Sequence, residues 1–266
     1  SLRKISTCRR FFHKMKEIFV EGRTLPEAYH KAILALYEQG DLLSCSDWGQ
    51  MQKEVSMTFA VDEALAEPMV SRLYIGGFYE LQQYVMEILD GILDFKIGEG
   101  NCWEYTYHDR YARQLPFILA ELRRNPDTRR AIMNIRDFEV DSKNADPACL
   151  QSIQYFIREG KLHCKVMMRS NDAPQASFMN AFAFIMLQKK VADELGVPVG
   201  SYTHRANSYH AYEKTFRMLE QYAEAIKTKP LEELTYEYEG FYKDMMEESI
   251  PDILAAVEKL KERSSV

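Results

Sequence analysis

The chain has 266 residues, of which 46% are hydrophobic and 28% are charged, a composition typical of one globular domain with an ample core. Its net charge of −6 argues against a nucleic-acid partner, because such partners select a basic surface. No apolar run approaches the roughly 18 residues of a membrane span. The five cysteines lack a CxxC pattern and a zinc-type histidine spacing, which favours reduced thiols, no metal site and a cytoplasmic protein.

The N-terminal part of the chain predicts two helices followed by a strand. Apolar residues recur at three- and four-residue intervals over 4–19, which predicts an amphipathic helix within about residues 1–22. Thr24 and Glu27 predict a capped second helix that ends at Gly40. Alternation over 55–61 predicts a strand.

The rest of the chain alternates between helical and strand-like segments. The helical segments are 79–93, 109–122 and the apolar 176–195, and the strand-like ones are 130–135, 150–157, 162–168 and 202–209. A hairpin turn is expected at 158–161, and a helix is expected from His210. An acidic helical extension is expected over about 230–266. The pattern predicts a single domain over 1–266 of the α/β or α+β class.

Cys149 follows a turn and precedes a strand-like stretch. A cysteine acts as a nucleophile only as a thiolate, so it needs a nearby cation or helix terminus. Arg169 ends the second strand of the predicted hairpin, which would bring it close to Cys149. For a single cysteine a buried apolar role is the usual one, and it is the one expected of Cys8, Cys45, Cys102 and Cys164.

Several polar residues near Cys149 are candidate ligand-binding groups, although each has an ordinary structural alternative. Arginine matches two phosphate oxygens, but the pair Arg129 and Arg130 taken alone is more often a surface feature. Asn180 lies in an apolar helix, and its buried amide needs a partner, either a base edge or a nearby loop. His210 and Tyr212 would donate to a sugar hydroxyl or serve the fold.

Taken together, these residues resemble the thymidylate synthase family in order and spacing. The interval from Cys149 to Gly160 is eleven residues, that from Asp172 to Asn180 is eight, and that from Asn180 to His210 is thirty. The resemblance is strong over 120–215, weak over 26–119 and absent beyond about 228. It implies a mixed β-sheet packed by helices, with the sheet forming a homodimer interface, and a methyltransferase activity in nucleotide biosynthesis.

The resemblance implies how the nucleotide is held and attacked. Cys149 would add to C6 of a pyrimidine nucleoside monophosphate. Arg169, with Ser170 beside it, would hold the 5′-phosphate and lower the pKa of the thiol. Arg129 and Arg130 would reach the phosphate in the neighbouring subunit's site.

Further roles are implied for the base, the sugar and the folate. Asn180 would bind the N3–O4 edge of uracil, and His210 and Tyr212 would bind the 3′-hydroxyl. Asp172 would contact the pterin of 5,10-methylenetetrahydrofolate.

Two catalytic positions match the family more loosely. Glu80 is the candidate for its water-organising glutamate, with Glu87 as competitor. Tyr105 is the candidate for the tyrosine near C5, with Tyr107 as competitor.

The chain departs from the family pattern in four places. Leu150 replaces the usual histidine after the cysteine, and Ala176–Asn180 lacks the glycine and phenylalanine that shape the folate slot. No Arg-Thr-Gly phosphate loop is recognisable, so Lys53 or Arg23 is expected to substitute. An acidic helical extension replaces the usual C-terminal tail.

Three functional hypotheses follow. The leading one is conversion of dUMP to dTMP with methylenetetrahydrofolate. The second is a pyrimidine nucleotide 5-hydroxymethylase acting on dUMP, dCMP or CMP, where Asn180 favours a uracil edge and aspartate would suit cytosine. The third is a relative that binds nucleotide without turnover.

Overall fold

The computed structural model describes residues 15–98 and 103–264. Its strands are β1 (Glu17–Gly22), β2 (Asp41–Cys45), β3 (Gln50–Val61), β4 (Val70–Ser71), β5 (Ile132–Asn134), β6 (Leu150–Arg158), β7 (Lys161–Asp172), β8 (Val199–Tyr212) and β9 (Thr235–Tyr236). Its α-helices are α1 (Leu25–Gln39), α2 (Phe78–Asp90), α3 (Tyr107–Ala112), α4 (Leu115–Arg124), α5 (Phe138–Asp141), α6 (Phe178–Leu195), α7 (Phe216–Thr228), α8 (Lys243–Glu248) and α9 (Ile250–Ser264).

Seven strands form one mixed sheet in the order β1-β3-β8-β7-β6-β5, with β2 also paired to β3. The β1–β3 and β7–β8 pairs are parallel, and the other pairs are antiparallel. β4 and β9 form a separate two-stranded sheet. The predicted class, a mixed sheet packed by helices, is confirmed.

The apolar helix α6 lies at the centre of the core. Its residues are buried on almost every side, as expected for a helix without a polar face. A π-helical turn, Ala173–Ser177, leads into it from β7. Only this turn separates Asn180, in the first turn of α6, from the end of the strand that bears Arg169.

Two local signals in the sequence are confirmed. The Thr24 side chain accepts a hydrogen bond from the Glu27 amide, and α1 ends at Gly40. The hairpin between β6 and β7 turns at Glu159 and Gly160, both of which have positive φ values of 50° and 72°. Such a pair of left-handed residues is what a two-residue hairpin turn requires.

Three predicted boundaries were wrong. The helix predicted over 4–19 fails at its C-terminal end, because Glu17–Gly22 is a strand paired with β3; residues 1–14 lie outside the described residues. The helix over 109–122 is two helices, α3 and α4, and Pro116 lies in the first turn of the second. His210 does not begin a helix, because β8 continues through it to Tyr212 along β3.

The C-terminal extension is joined to the rest of the fold. Its helix α8 packs on α2, and α9 does so as well. The Tyr74 and Tyr242 hydroxyls lie 2.6 Å apart, and β9 pairs with β4. The described part is helical, as predicted, apart from β9 and its flanking turns. In 15–98 and 103–264 we found no helix with the length and hydropathy that a membrane crossing needs.

Candidate active site

The β6–β7 hairpin brings Arg169 against Cys149, as predicted. The Arg169 amide donates to the Cys149 carbonyl at 2.8 Å. Its guanidinium donates to the carbonyls of Ala148 at 3.1 Å and Pro147 at 2.5 Å and lies 3.5 Å from the Asp146 carboxylate. Arg169 thus fixes the segment that carries the thiol and keeps a cation beside it.

The Cys149 thiol is half-buried, and burial raises its pKa. The positive charge of Arg169 lowers that pKa and the Asp146 carboxylate raises it further. The contribution of Arg169 has the predicted sign, but desolvation outweighs it. Without a ligand the thiol is therefore protonated at neutral pH.

A cavity of about 370 Å³ lies beside this segment. Its walls include Tyr84, Glu87, Trp103, Tyr105, Tyr107 and Asp146. The rings of Tyr105 and Tyr107 stack at 6.0 Å, and the Tyr107 hydroxyl accepts from the Leu150 amide at 3.3 Å. Burial raises the pKa of Tyr105, and the neighbouring Cys149 raises it further. The predicted tyrosine and its competitor thus both line the cavity and both lie near the thiol.

Glu80 and Glu87 occupy different environments on α2. The Glu80 carboxylate accepts from the Gly77 amide at 2.8 Å and caps the start of the helix. Glu87, two turns further on, lines the cavity, and burial raises its pKa. The Gln83 side chain donates to it at 2.8 Å. Of the two candidate glutamates, Glu87 lies beside the cavity and Glu80 accepts from the Gly77 amide at the start of the helix.

Asn180 reaches the cavity through one neighbour. Its amide nitrogen donates to the hydroxyl of Tyr84, a cavity residue. Its amide oxygen accepts from Asn171 at 2.9 Å. The amide is thus buried and partnered on both sides.

Asp172 is half-buried at the start of the turn that leads into α6. It accepts from the Gln175 amide at 3.2 Å and from the Gln175 side chain at 3.0 Å. Burial raises its pKa to about 6. The carboxylate therefore caps this turn.

His210 and Tyr212 share one face at the end of β8. Their rings lie 4.6 Å apart, and Ser170 and Asp172 on β7 are aligned with Ser208 and His210. Burial lowers the pKa of His210 to about 4, so its ring is neutral. Its Nε2 is buried without a hydrogen-bond partner among the described residues. A ligand hydroxyl would satisfy this nitrogen.

Arg129 and Arg130 lie exposed in the turn before β5. The Gln154 side chain donates to the Arg129 carbonyl at 3.0 Å. Gln154 is five residues along β6 from Cys149, roughly 17 Å at the rise of an extended strand. The two arginines are therefore set apart from the thiol of their own chain.

Neither expected substitute for the phosphate loop faces this site. Lys53 is paired with Ala211, one residue out of phase with His210 and Tyr212, so the pleat turns it to the opposite face. Its ammonium donates to the Tyr37 carbonyl. Arg23 donates to Glu63 at 3.2 Å and to the Glu67 carbonyl at 2.7 Å.

Sequence reasoning missed three residues next to the candidate site. Glu54 is aligned with His210 across β3 and β8 and accepts from the Ser208 hydroxyl. Trp48 is 61% exposed, and its ring lies 6.3 Å from that of Tyr212. Tyr84 lies four residues after Glu80, a helical interval that would have placed it on the same face. The strand alternation of β3 would likewise have suggested Glu54.

In the part of the chain that the structure describes, no three His, Cys, Asp or Glu side chains are grouped to hold a metal ion. The polar side chains near Cys149 are the Arg169 guanidinium, the Asp146 carboxylate and the phenols of Tyr105 and Tyr107.

Comparisons with known proteins point to one family. A sequence model described as thymidylate synthase matches residues 80–254. A Methanocaldococcus jannaschii protein with a provisional thymidylate synthase name is 29% identical over 213 residues, which cover 76% of this chain and 95% of that protein. Thymidylate synthase 1 of Bacillus spizizenii is 32% identical over 119 residues, 44% of this chain and 41% of that protein. Thermostable thymidylate synthase A from Bacillus subtilis shares the fold, with a TM-score of 0.63 at 19% identity over 76% of this chain and 84% of that one.

Proposed function

This chain belongs to the thymidylate synthase family, and we propose that it transfers a one-carbon unit from 5,10-methylenetetrahydrofolate to C5 of dUMP, giving dTMP. The observation that carries the proposal is that Arg169 fixes the segment bearing the Cys149 thiol and its charge favours the thiolate, while Asp146 in the same segment lines a cavity of about 370 Å³. This pairing of a nucleophile with a cation and a cavity is what a covalent nucleotide enzyme needs.

The nucleotide half of the reaction uses residues around Cys149. The thiol loses its proton as the nucleotide binds, and its sulfur adds to C6 of the base. The C5–C6 electron pair moves toward O4 and leaves C5 nucleophilic. The Asn180 amide stabilises the charge on O4, as preorganised donors do in a low-dielectric site. Arg169 and Ser170 hold the phosphate, and His210 and Tyr212 hold the sugar hydroxyl.

A second subunit would complete the phosphate site. Arg129 and Arg130 are exposed and set apart from Cys149 of their own chain. This separation supports a homodimer in which each pair of arginines reaches the phosphate bound by the partner.

The folate half would use the cavity. Its aromatic walls, with the Glu87 and Asp146 carboxyls, fit a flat ring that offers several hydrogen-bond donors. The folate supplies the methylene group and the hydride that reduces it. The C5 hydrogen leaves as a proton, and the sulfur leaves C6 as the C5–C6 double bond forms again. Glu87 would organise water near O4, Tyr105 would lie near C5, and Asp172 would contact the pterin.

The second candidate is a pyrimidine nucleotide 5-hydroxymethylase, in which water captures the exocyclic methylene. It is favoured by the folate slot, because Ala176–Asn180 lacks the glycine and phenylalanine of the family pattern. The two enzymes would share the Cys149 adduct and differ only in the fate of the methylene.

The test is tritium release from [5-³H]-labelled dUMP, dCMP, UMP and CMP with methylenetetrahydrofolate, together with the product mass. A methyl product with dihydrofolate supports the synthase, and a hydroxymethyl product without folate oxidation supports the second candidate. Cys149→Ser is expected to abolish release, whereas Cys164→Ala, at a buried cysteine in the middle of β7, is expected to keep it. Nucleotide binding without release from any substrate would overturn the proposal.

A further inference from the structure

A continuous chain of hydrogen bonds runs from the core to Asn180. The Tyr202 hydroxyl lies 2.8 Å from His204 Nδ1, and His204 Nε2 lies 2.8 Å from Asn171 Oδ1. Asn171 Nδ2 donates to Asn180 Oδ1 at 2.9 Å, and Asn180 Nδ2 donates to the Tyr84 hydroxyl. The chain ends at the cavity, because Tyr84 lines it.

This series of hydrogen bonds has one favoured donor-to-acceptor direction. His204 is fully buried, and burial lowers its pKa to about 3, so its ring is neutral with one N–H. Because Asn171 Oδ1 faces His204 Nε2 and can only accept, the N–H belongs on Nε2, and the Tyr202 hydroxyl then donates to Nδ1. The reverse order would leave the Tyr202 hydroxyl proton without an acceptor among the described residues, in a side chain with no exposed surface. A buried donor without an acceptor is costly.

The other end tolerates this direction. The Tyr84 hydroxyl accepts from Asn180, and its own proton is free to point toward the cavity that the ring lines. The direction of the hydrogen bonds is therefore set at the buried Tyr202 end, because the Tyr84 end at the cavity permits it.

The direction decides what Asn180 offers to a base. Its oxygen lies on the Asn171 side and its NH₂ on the Tyr84 side. Each group has one further hydrogen-bond position, so the amide presents an acceptor beside a donor. Uracil offers N3–H and O4 in the complementary order, whereas cytosine offers a bare N3 and an NH₂. A turned amide would fit cytosine instead.

We infer that Tyr202, His204 and Asn171 are positioning residues that fix the orientation of the Asn180 amide and thereby select uracil over cytosine nucleotides. The inference rests on the proposed function for the identity of the bound ring, but the direction of the chain is a property of the protein without any ligand.

The direction is tested first, on the full chain without nucleotide. Nitrogen-15 NMR of labelled histidines reports the tautomer, and the His204 signal is identified by its loss in His204→Gln. The Nε2–H tautomer is expected in the wild type. The Nδ1–H tautomer would overturn the inference whether or not the protein is catalytic.

Selection is tested by the ratio of Kd values for dUMP and dCMP, measured calorimetrically without folate. In Asn171→Asp the ionised carboxylate only accepts, so Asn180 must turn its NH₂ toward it, and the preference for dUMP is expected to fall at least tenfold. Tyr202→Phe removes the first donor and is expected to lower the preference several-fold. Tyr155→Phe is the matched control, because its hydroxyl is buried without a partner among the described residues and both tyrosines are aligned with Cys164.

The outcomes separate the two proposals. An unchanged ratio in Tyr202→Phe and in any folded Asn171→Asp would overturn the selection, as would an equal loss in Tyr155→Phe. Selective dUMP binding by a wild type that releases no tritium would sink the proposed function and leave this inference standing. A wild type that binds neither nucleotide would refute both.

Discussion

Glu80 and Glu87 show that helical spacing alone does not decide which of two side chains reaches the cavity. They lie seven residues apart on α2, an interval that returns to nearly the same face of a helix. Glu80 and Glu87 therefore lie on the same face of α2 and differ in their position along its length. Glu80 caps the exposed start, where it accepts from Gly77, whereas Glu87 is carried in to the cavity wall.

Replacing each of these glutamates by glutamine separates the two roles. Glu87→Gln is expected to lower kcat for tritium release by about 10²-fold or more, the usual size of a proton-transfer contribution. Glu80→Gln is expected to keep kcat, because an amide oxygen also accepts from the Gly77 N–H. Steady-state kinetics of the two purified variants gives the comparison, and a greater loss in Glu80→Gln would reverse the assignment.

Asp172 is a residue whose ionisation opposes folding. Burial raises its pKa to about 6 from an ordinary value of 3.8, so the folded state favours the neutral acid. This stabilisation is complete below pH 3.8 and is lost as the pH rises through 6. At pH 8 the ionised group therefore costs up to about 3 kcal/mol relative to its neutral form.

Asp172→Asn is expected to increase the free energy of unfolding at pH 8 by up to that amount, because asparagine stays neutral and still caps the following turn. The gain is expected to shrink toward pH 4, and the variant is expected to lose activity. Urea unfolding at pH 8, 6 and 4 measures it. A stability difference that is constant across this range would contradict the raised pKa.

At the scale of elements, the sequence correctly predicts the features that depend on neighbouring residues. It fails for those that depend on pairing with a distant strand. Thr24 and the turn at Glu159–Gly160 act within a few residues, so the sequence predicts them. The strand β1 depends on a partner, β3, that begins more than thirty residues later, and pairing overrides the helical pattern of its sequence. Likewise, His210 stays in β8 because Glu54 and its neighbours on β3 pair with it. The position of Glu87 in the site depends on packing of the same kind.

The C-terminal extension packs against α2. Met246 on α8 is 1% exposed and belongs to the main core, and α8 packs on α2. Because α2 carries Tyr84 and Glu87, this packing steadies two residues of the proposed site. The extension is therefore part of the same fold. The family match runs to residue 254, so the expectation that the resemblance ends near residue 228 was wrong.

Met246→Ala tests this support. It is expected to lower the free energy of unfolding by about 2–5 kcal/mol, as large-to-small core substitutions do. Phe241→Ala, a few residues earlier, is the control because Phe241 is 78% exposed, and it is expected to change stability by less than about 0.5 kcal/mol. Urea unfolding measures the free energy of unfolding of both variants. A loss in Met246→Ala no larger than the loss in Phe241→Ala would show that α8 does not support α2.

At the scale of the whole molecule, three of the described histidines are buried and neutral, one on α1 and two on β8. His30 lies on α1 against Ser71, His204 lies at the centre of the sheet, and His210 lies at the proposed site. Burial lowers the pKa of His30 to about 4, that of His204 to about 3 and that of His210 to about 4. A proton forced onto any of the three rings therefore lowers the free energy of unfolding.

The sign of the effect follows from linkage. A lowered histidine pKa contributes stability that is fully present above the unfolded value of 6.5 and is lost as the pH falls toward the folded value. His30→Gln removes one such group. Between pH 6.5 and pH 5 the variant is therefore expected to gain about 2 kcal/mol of stability relative to the wild type, even if it is less stable at pH 7.

Ser71→Ala removes the partner of His30, 2.8 Å away, but keeps the histidine, so its difference in stability from the wild type is expected to change much less with pH. Urea midpoints of the three proteins at pH 7, 6 and 5 measure this, and a His30→Gln difference that does not change with pH would show that His30 takes up its proton without opposing the fold.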